Sequence, residues 1–406
     1  KRLKIYKIQY FSFVLIYLKI LLLFNFAWLK LFFVEMLIVD MKIQLEKNNK
    51  IFVFQGSEKK ELHPIWLRER VSEKEHLDTI TEQRLFDPSF LKDITIKEVK
   101  IDNNLLNLEF SDGVKSKFDI KRIEKEFSSD TELKKLMQPT LWNSSLKNIK
   151  NFSYDNYFLE SGEMLELLKS FYKNGFIIIS NVPTKDNFIV SFANSIGSIR
   201  RTNFGEYFNV KSKPNPNDLA YTPLPLSPHT DNPYRKPVPN IQLLHCIENE
   251  VQGGQSTLVD GFAVAENLKN EYSEFFKILT EIKVKFRFAD KNVVLENYGE
   301  LIELDHNKEV KQVRFSTRLD FVPAIEKDKL DLYYKARNKI SEIYNSDEFL
   351  IKFKLNSGDL LMMDNYRLLH GRTEFNPNEG NRFLQGCYID YDSSEGKLRH
   401  LLRKFS

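Results

Sequence analysis

His229 and Asp231 stand two apart in LSPHTDNPY. On an extended strand end this spacing turns both side chains to one side, so an imidazole and a carboxylate can face a single point. Alone the pair is a weak sign, because an HxD sequence is more often a surface turn than a site. A second histidine changes its weight. In SGDLLMMDNYRLLHGRTEF a buried strand, LLMMDN, runs on to His370, expected at a strand end, and Gly371 follows where backbone or ligand must approach closely. Two histidines and one carboxylate, with coordination positions left open, are a donor set for non-haem iron(II). Arg382 opens the apolar run RFLQGCYIDY. Its guanidinium would be costly there unless a carboxylate meets it, and a dicarboxylate cosubstrate would do so through the bidentate fork.

Short strands must position these residues. The runs IQLLHCIE, STLVDGF, EIKVKFRF, VKQVRFSTRL, FLIKFKL, GDLLMMDN and RFLQGCYIDY are separated by turn residues, and helices interrupt only at residues 263–279 and 327–345. Before them, SGEMLELLKSFYKNG places Leu165, Leu167, Leu168 and Phe171 on one helical side, with Ser161 as N-cap and Gly175 as the stop, and the strand FIIISNV follows. Strands that do not alternate regularly with helices predict a mainly β fold with flanking helices, a double-sheet jelly roll rather than a parallel α/β sheet. Residues 149–406 are assigned to it. Residues 41–127 hold the alternating runs KIQLE, KIFVFQ, ITIKEVKID and LLNLEFSDG and predict a small β-rich domain. Residues 128–148 are expected to link the two, with a helical turn or two.

Composition narrows the function classes. The 406-residue chain carries 60 basic and 56 acidic residues, so its net charge of +4 gathers no nucleic acid. Two cysteines, Cys246 and Cys387, lack any paired spacing, which excludes a disulfide framework or a cysteine zinc site and favours a reducing cytoplasm. Residues 11–29, FSFVLIYLKILLLFNFAWL, are apolar enough for a membrane anchor apart from Lys19, and no small-residue cleavage site follows. The expected alternative is that residues 1–40 are upstream sequence translated in error and that Met41 opens the protein. On that reading no membrane is involved; a truly expressed segment would anchor the enzyme.

HTD, GGQSTLVDG, DNYRLLHGR and NRFLQGCYIDYD, in that order, resemble the taurine dioxygenase-like superfamily, most closely the branch of gamma-butyrobetaine and trimethyllysine dioxygenases. HPIWLRERV and QRLFDPSFL resemble that branch's small N-terminal domain, so the likeness covers most of the chain from Met41 on. It implies that His229, Asp231 and His370 hold iron(II), that Arg382 holds the distal carboxylate of 2-oxoglutarate, and that Ser256 assists it. Arg372 is a lesser candidate, since an arginine there could equally pair with a nearby acid. The reaction implied couples oxygen and decarboxylation of 2-oxoglutarate to succinate with hydroxylation of a C–H bond. Ascorbate is a conceivable stimulant, and a homodimer is expected.

The pattern also departs from the family. WLRERVSEKEHLD lacks the cysteines that hold zinc in relatives, so no structural zinc is expected, the small domain should hold by its core alone, and His76 should be a surface residue. Phe204, Phe208, Tyr221 and Tyr388 match the aromatic positions that box a trimethylammonium, a cation held by π faces because it cannot donate hydrogen bonds. Asp218 stands where butyrobetaine enzymes place an asparagine toward the substrate carboxylate, and the second such asparagine is replaced around Ser316. Carboxylate facing carboxylate is unfavourable unless a cation or proton intervenes. The substrate expected is thus a small zwitterion with a quaternary ammonium group, gamma-butyrobetaine converted to carnitine first, with trimethyllysine or an aminoethylphosphonate as alternatives. An inactive jelly-roll binding protein and a cupin-like isomerase are the rivals of other classes. The four intact residues argue against the first, and Arg382 against the second.

Overall fold

A computed structural model describes residues 41–405 apart from 56, 148, 156–157 and 212–221. The apolar segment at 11–29, the expectation that residues 1–40 are not native, and the candidates Asp218 and Tyr221 all lie outside the described residues. Among those described, no helix is long and apolar enough to cross a membrane. The chain divides into two compact units, one ending at Leu133 and one beginning at Lys134. The boundary falls inside a helix, Ile120–Leu136, which runs on into the first part of the linking stretch.

The first unit contains two antiparallel three-stranded sheets, β1 (Met41–Glu46), β2 (Lys50–Gln55) and β3 (Glu58–Glu61), then β4 (Ile96–Asp102), β5 (Leu105–Phe110) and β6 (Lys115–Asp119). Alternation puts Leu106, Leu108 and Phe110 of β5 inside, where they cluster with Ile51, Val53 and Leu67. Helix α1 (Pro64–Arg68) starts at His63, whose side chain accepts from the Ile65 amide. Polar contacts accompany this core. Arg68, 5% exposed, donates to Asp112 at 2.7 Å, and Arg70 lies 3.8 Å over the Trp66 ring. His76 is half-buried with its ring edge-on to Phe86, so it is not the plain surface residue expected.

Helix α2 is Ile120–Leu136. In the second unit α3 (Gly162–Asn174) buries Leu165, Leu167, Leu168 and Phe171; Ser161 accepts from the Glu163 amide and Gly175, at φ 79°, ends it. That positive φ is cheap only for glycine. Strands β7 (Phe152–Ser153) and β8 (Phe176–Ser180) pair in parallel, and α4 (Phe188–Ile196) follows. Next come β9 (Tyr207–Val210), β10 (Leu226–His229), β11 (Ile241–Asn249), β12 (Ser256–Asp260), α5 (Gly261–Glu271) and α6 (Ser273–Glu281). The hairpin strands β13 (Val284–Ala289) and β14 (Val294–Gly299), the pair β15 (Ile302–Leu304) and β16 (Val310–Val313), and β17 (Asp320–Phe321) lead to α7 (Lys327–Tyr344). The chain then runs through β18 (Leu350–Phe353), β19 (Leu360–Asp364), β20 (Leu368–Arg372), β21 (Arg382–Ile389) and α8 (Tyr391–Phe405).

Two sheets make the jelly roll: a smaller one ordered β10-β20-β12-β18 and a larger one ordered β7-β8-β19-β11-β21-β9. Leu258 and Leu368 from the smaller sheet cluster with Phe176, Cys246, Leu361, Met363 and Leu384 from the larger. A second core joins α5, α6 and α7 to β13, β15 and β16 through Leu268, Leu279, Phe286, Ile302, Val313 and Tyr333.

Candidate active site

β10 ends at His229, directly opposite His370 of β20. His370 therefore lies within its strand, not at the end expected from sequence. Gly371 explains the close approach: a Cβ there would sit 2.2 Å from the Leu226 carbonyl oxygen, so any side chain would push β10 away. The two imidazole centroids are 4.5 Å apart. The chain leaves β10 and brings Asp231 to the same point, with Oδ1 at 3.6 Å from His229 Nε2 and 3.8 Å from His370 Nε2.

His229 Nδ1 lies 2.9 Å from the Ser227 carbonyl oxygen. The carbonyl can only accept, so Nδ1 is the donor there and Nε2 is the nitrogen turned to the cluster. The other Asp231 oxygen, Oδ2, accepts from Gln242 Nε2 and from the Tyr388 hydroxyl, each at 2.7 Å. Burial pushes the Asp231 carboxyl up, but the facing His370 and His229 and the Tyr388 hydroxyl together outweigh it and hold the group well below the usual carboxylate range. Burial also lowers His370, to about 4, so its imidazole is neutral near pH 7. The three donor atoms lie within 4.8 Å of one another. An ionised carboxylate and two imidazoles, aimed at one point, fit a divalent metal ion.

Asn365 holds Asp231 from behind. Its Oδ1 accepts from the Asp231 amide at 2.7 Å, and its Nδ2 donates to the carbonyls of Asp231 and Pro239 at 3.0 and 2.9 Å.

Arg382 lines the same cavity. Its Nη2 reaches the Gly254 carbonyl at 3.4 Å, its Nε is buried without a hydrogen bond, and among the described residues no carboxylate pairs with it. A buried guanidinium so placed fits a ligand carboxylate. Ser256 lines the same cavity, across the ladder from Arg372. Arg372 donates to the carbonyls of Thr222 and Leu224, the latter at 3.1 Å, and so grips the segment ahead of β10.

The rest of the cavity is aromatic. Tyr388 and Phe208 stack with centroids 5.4 Å apart at 32°, Phe204 meets Phe208 and Phe288 edge-on, and Phe288 stacks on Tyr234 at 5.0 Å. Ser316 and Arg318 line it too. The structure thus gathers every described candidate, while Gln242, Asn365, Tyr234, Phe288 and Arg318 escaped the sequence reading. Gln242 left a signal, a lone amide in the apolar run IQLLHCIE, which once buried must find a partner.

Residues 134–388 match the family described as "Taurine catabolism dioxygenase TauD, TfdA family". The chain is 30% identical over 347 residues to a gamma-butyrobetaine dioxygenase of Pseudomonas sp. (strain AK-1), covering 84% of this chain and 90% of that one. It is 28% identical to the human gamma-butyrobetaine dioxygenase, covering 86% and 93%, and 29% identical to the mouse mitochondrial trimethyllysine dioxygenase, covering 81% and 80%.

Proposed function

The chain belongs to this family of dioxygenases, and from that premise we propose that it hydroxylates a small zwitterion carrying a quaternary ammonium group, gamma-butyrobetaine being the leading candidate. The carrying observation is the wall formed by Phe204, Phe208, Phe288, Tyr234 and Tyr388 beside the His–Asp–His cluster. Such a wall suits a cation that offers no hydrogen bond, at about 0.5–2 kcal/mol per cation–π contact. Arg318, on the same cavity, suits the anionic end.

Iron(II) and 2-oxoglutarate are the cofactor and cosubstrate that the donor set accommodates. His229, Asp231 and His370 would hold the metal, and Arg382 with Ser256 the distal carboxylate. The bound metal and cosubstrate supply the oxidising power. The protein's residues orient one C–H bond toward the metal and keep water away through the aromatic wall. A second reading has one feature in its favour: Asp218 suits a substrate with a free amine, such as trimethyllysine or an aminoethylphosphonate.

Anaerobic addition of iron(II) and 2-oxoglutarate should give a weak visible charge-transfer band, and oxygen should then drive succinate release, coupled most tightly to one member of a panel of betaines, trimethyllysine and aminophosphonates. Arg382→Ala should raise the KM for 2-oxoglutarate about thirtyfold, with Arg382→Lys restoring little of it. Asp218→Asn should improve turnover of gamma-butyrobetaine on the leading reading and abolish turnover of an amine substrate on the second. A folded protein that forms no band would sink both readings.

A further inference from the structure

We propose that Gln242 and Tyr388 are positioning residues that hold Asp231 as a one-oxygen metal ligand, so that the substrate wall and the metal cluster share a side chain. The inference rests on the metal-binding reading above and adds the device that sets the ligand's geometry. Gln242 of β11 and Tyr388 of β21 are direct cross-strand partners, 2% and 4% exposed. The larger sheet therefore presents two donors side by side to a carboxylate carried by the segment after β10.

Both donate to the same oxygen, Oδ2, at 2.7 Å. A carboxylate oxygen has two lone-pair directions, so two donors occupy Oδ2, while Oδ1 is the atom turned to both histidine Nε2 atoms. A carboxylate free to rotate could chelate through both oxygens and close a coordination position that the cosubstrate needs. Held this way it cannot. Asn365 fixes the backbone of the same residue, so neither the chain nor the carboxylate plane is left to drift. The Tyr388 ring meanwhile packs at a tilt against Phe208 within the cavity wall. A substrate pressed against that ring touches the side chain that orients the metal ligand.

The test uses the full chain with cobalt(II) as a spectroscopic probe, titrated without oxygen. Tyr388→Phe keeps the ring and loses the hydroxyl; Gln242→Met keeps the length and loses the amide. Each should weaken cobalt(II) binding about tenfold or more and shift the visible bands, because partners behind a ligand typically carry that much affinity. Metal affinity within about twofold of the original and unchanged bands in both variants would overturn the proposal, even if their melting temperatures fell. Should Tyr388→Phe fail to fold, Gln242→Met reads the same oxygen and decides alone. An unsubstituted protein that takes up no cobalt(II) would sink the metal-binding reading itself; uptake by it, matched by both variants, would overturn only the inference about Gln242 and Tyr388.

Discussion

Single residues decide how the cavity is shaped. Gly386 pairs across the ladder with Phe208, and a Cβ at that position would lie 2.4 Å from the Phe208 ring and 3.1 Å from Leu244. The ring therefore lies over the glycine, and its seat is what sets the depth of the aromatic wall. Gly386→Ala should tilt Phe208 into the cavity and raise the KM for a quaternary-ammonium substrate about tenfold, with the KM for 2-oxoglutarate unchanged. Steady-state kinetics with each substrate varied in turn checks this, and combining it with Phe208→Leu should recover part of the loss. An equal rise in both KM values would point to a general distortion of the sheet instead. Tyr388 joins two parts of the cavity in one side chain. Its ring lines the wall against Phe208, and its hydroxyl is committed to Asp231.

Elements depend on a buried charge pair. Asp260 at the end of β12 and Arg367 just ahead of β20 are 0% and 1% exposed, with Nη2 at 2.7 Å and Nε at 3.1 Å from the carboxylate. Asp260 also caps α5 through the Phe262 and Ala263 amides, and Arg367 donates to the carbonyls of Thr140 and Lys173. One pair thus ties a helix start, two strands and the 140–142 segment together. Removing one member leaves an uncompensated buried charge, so Asp260→Ala should cost about 3–5 kcal/mol in urea unfolding. Asp260→Ala with Arg367→Met should regain a good share, since the stranded cation is gone. No recovery would show that the lost α5 cap, rather than the stranded charge, carries the cost.

At the scale of the whole molecule, acid sensitivity is written into the larger sheet. His245 of β11 is fully buried, and burial lowers its pKa from 6.5 to about 4. Between those values the unfolded chain binds the proton and the folded one does not. The contribution is therefore fully present above pH 6.5 and is lost as pH falls toward 4. Urea unfolding at pH 7 and pH 5 should show the native protein losing about 2 kcal/mol from this residue, a loss that His245→Leu escapes. Equal pH dependence in the two proteins would mean that His245 is not the source. Much of this molecule was legible beforehand. Alternation along β5, the Ser161 cap and the Gly175 stop are local consequences of residue type, and they appear where expected. His229, Asp231, His370 and Arg382 stand out as candidates in the sequence because metal and carboxylate chemistry restricts which residues can serve, and the order of four motifs supports that reading. Tertiary structure alone decided that His370 faces His229 across a ladder, that Gly371 makes room for it, and that Gln242, Tyr388 and Asn365 converge on Asp231. Those partners come from two strands and the turn after a third, up to 157 residues away in the chain. Sequence spacing determines which side of a strand a residue faces; which strand lies opposite, and therefore which hydrogen bonds complete the site, follows only from sheet pairing and packing.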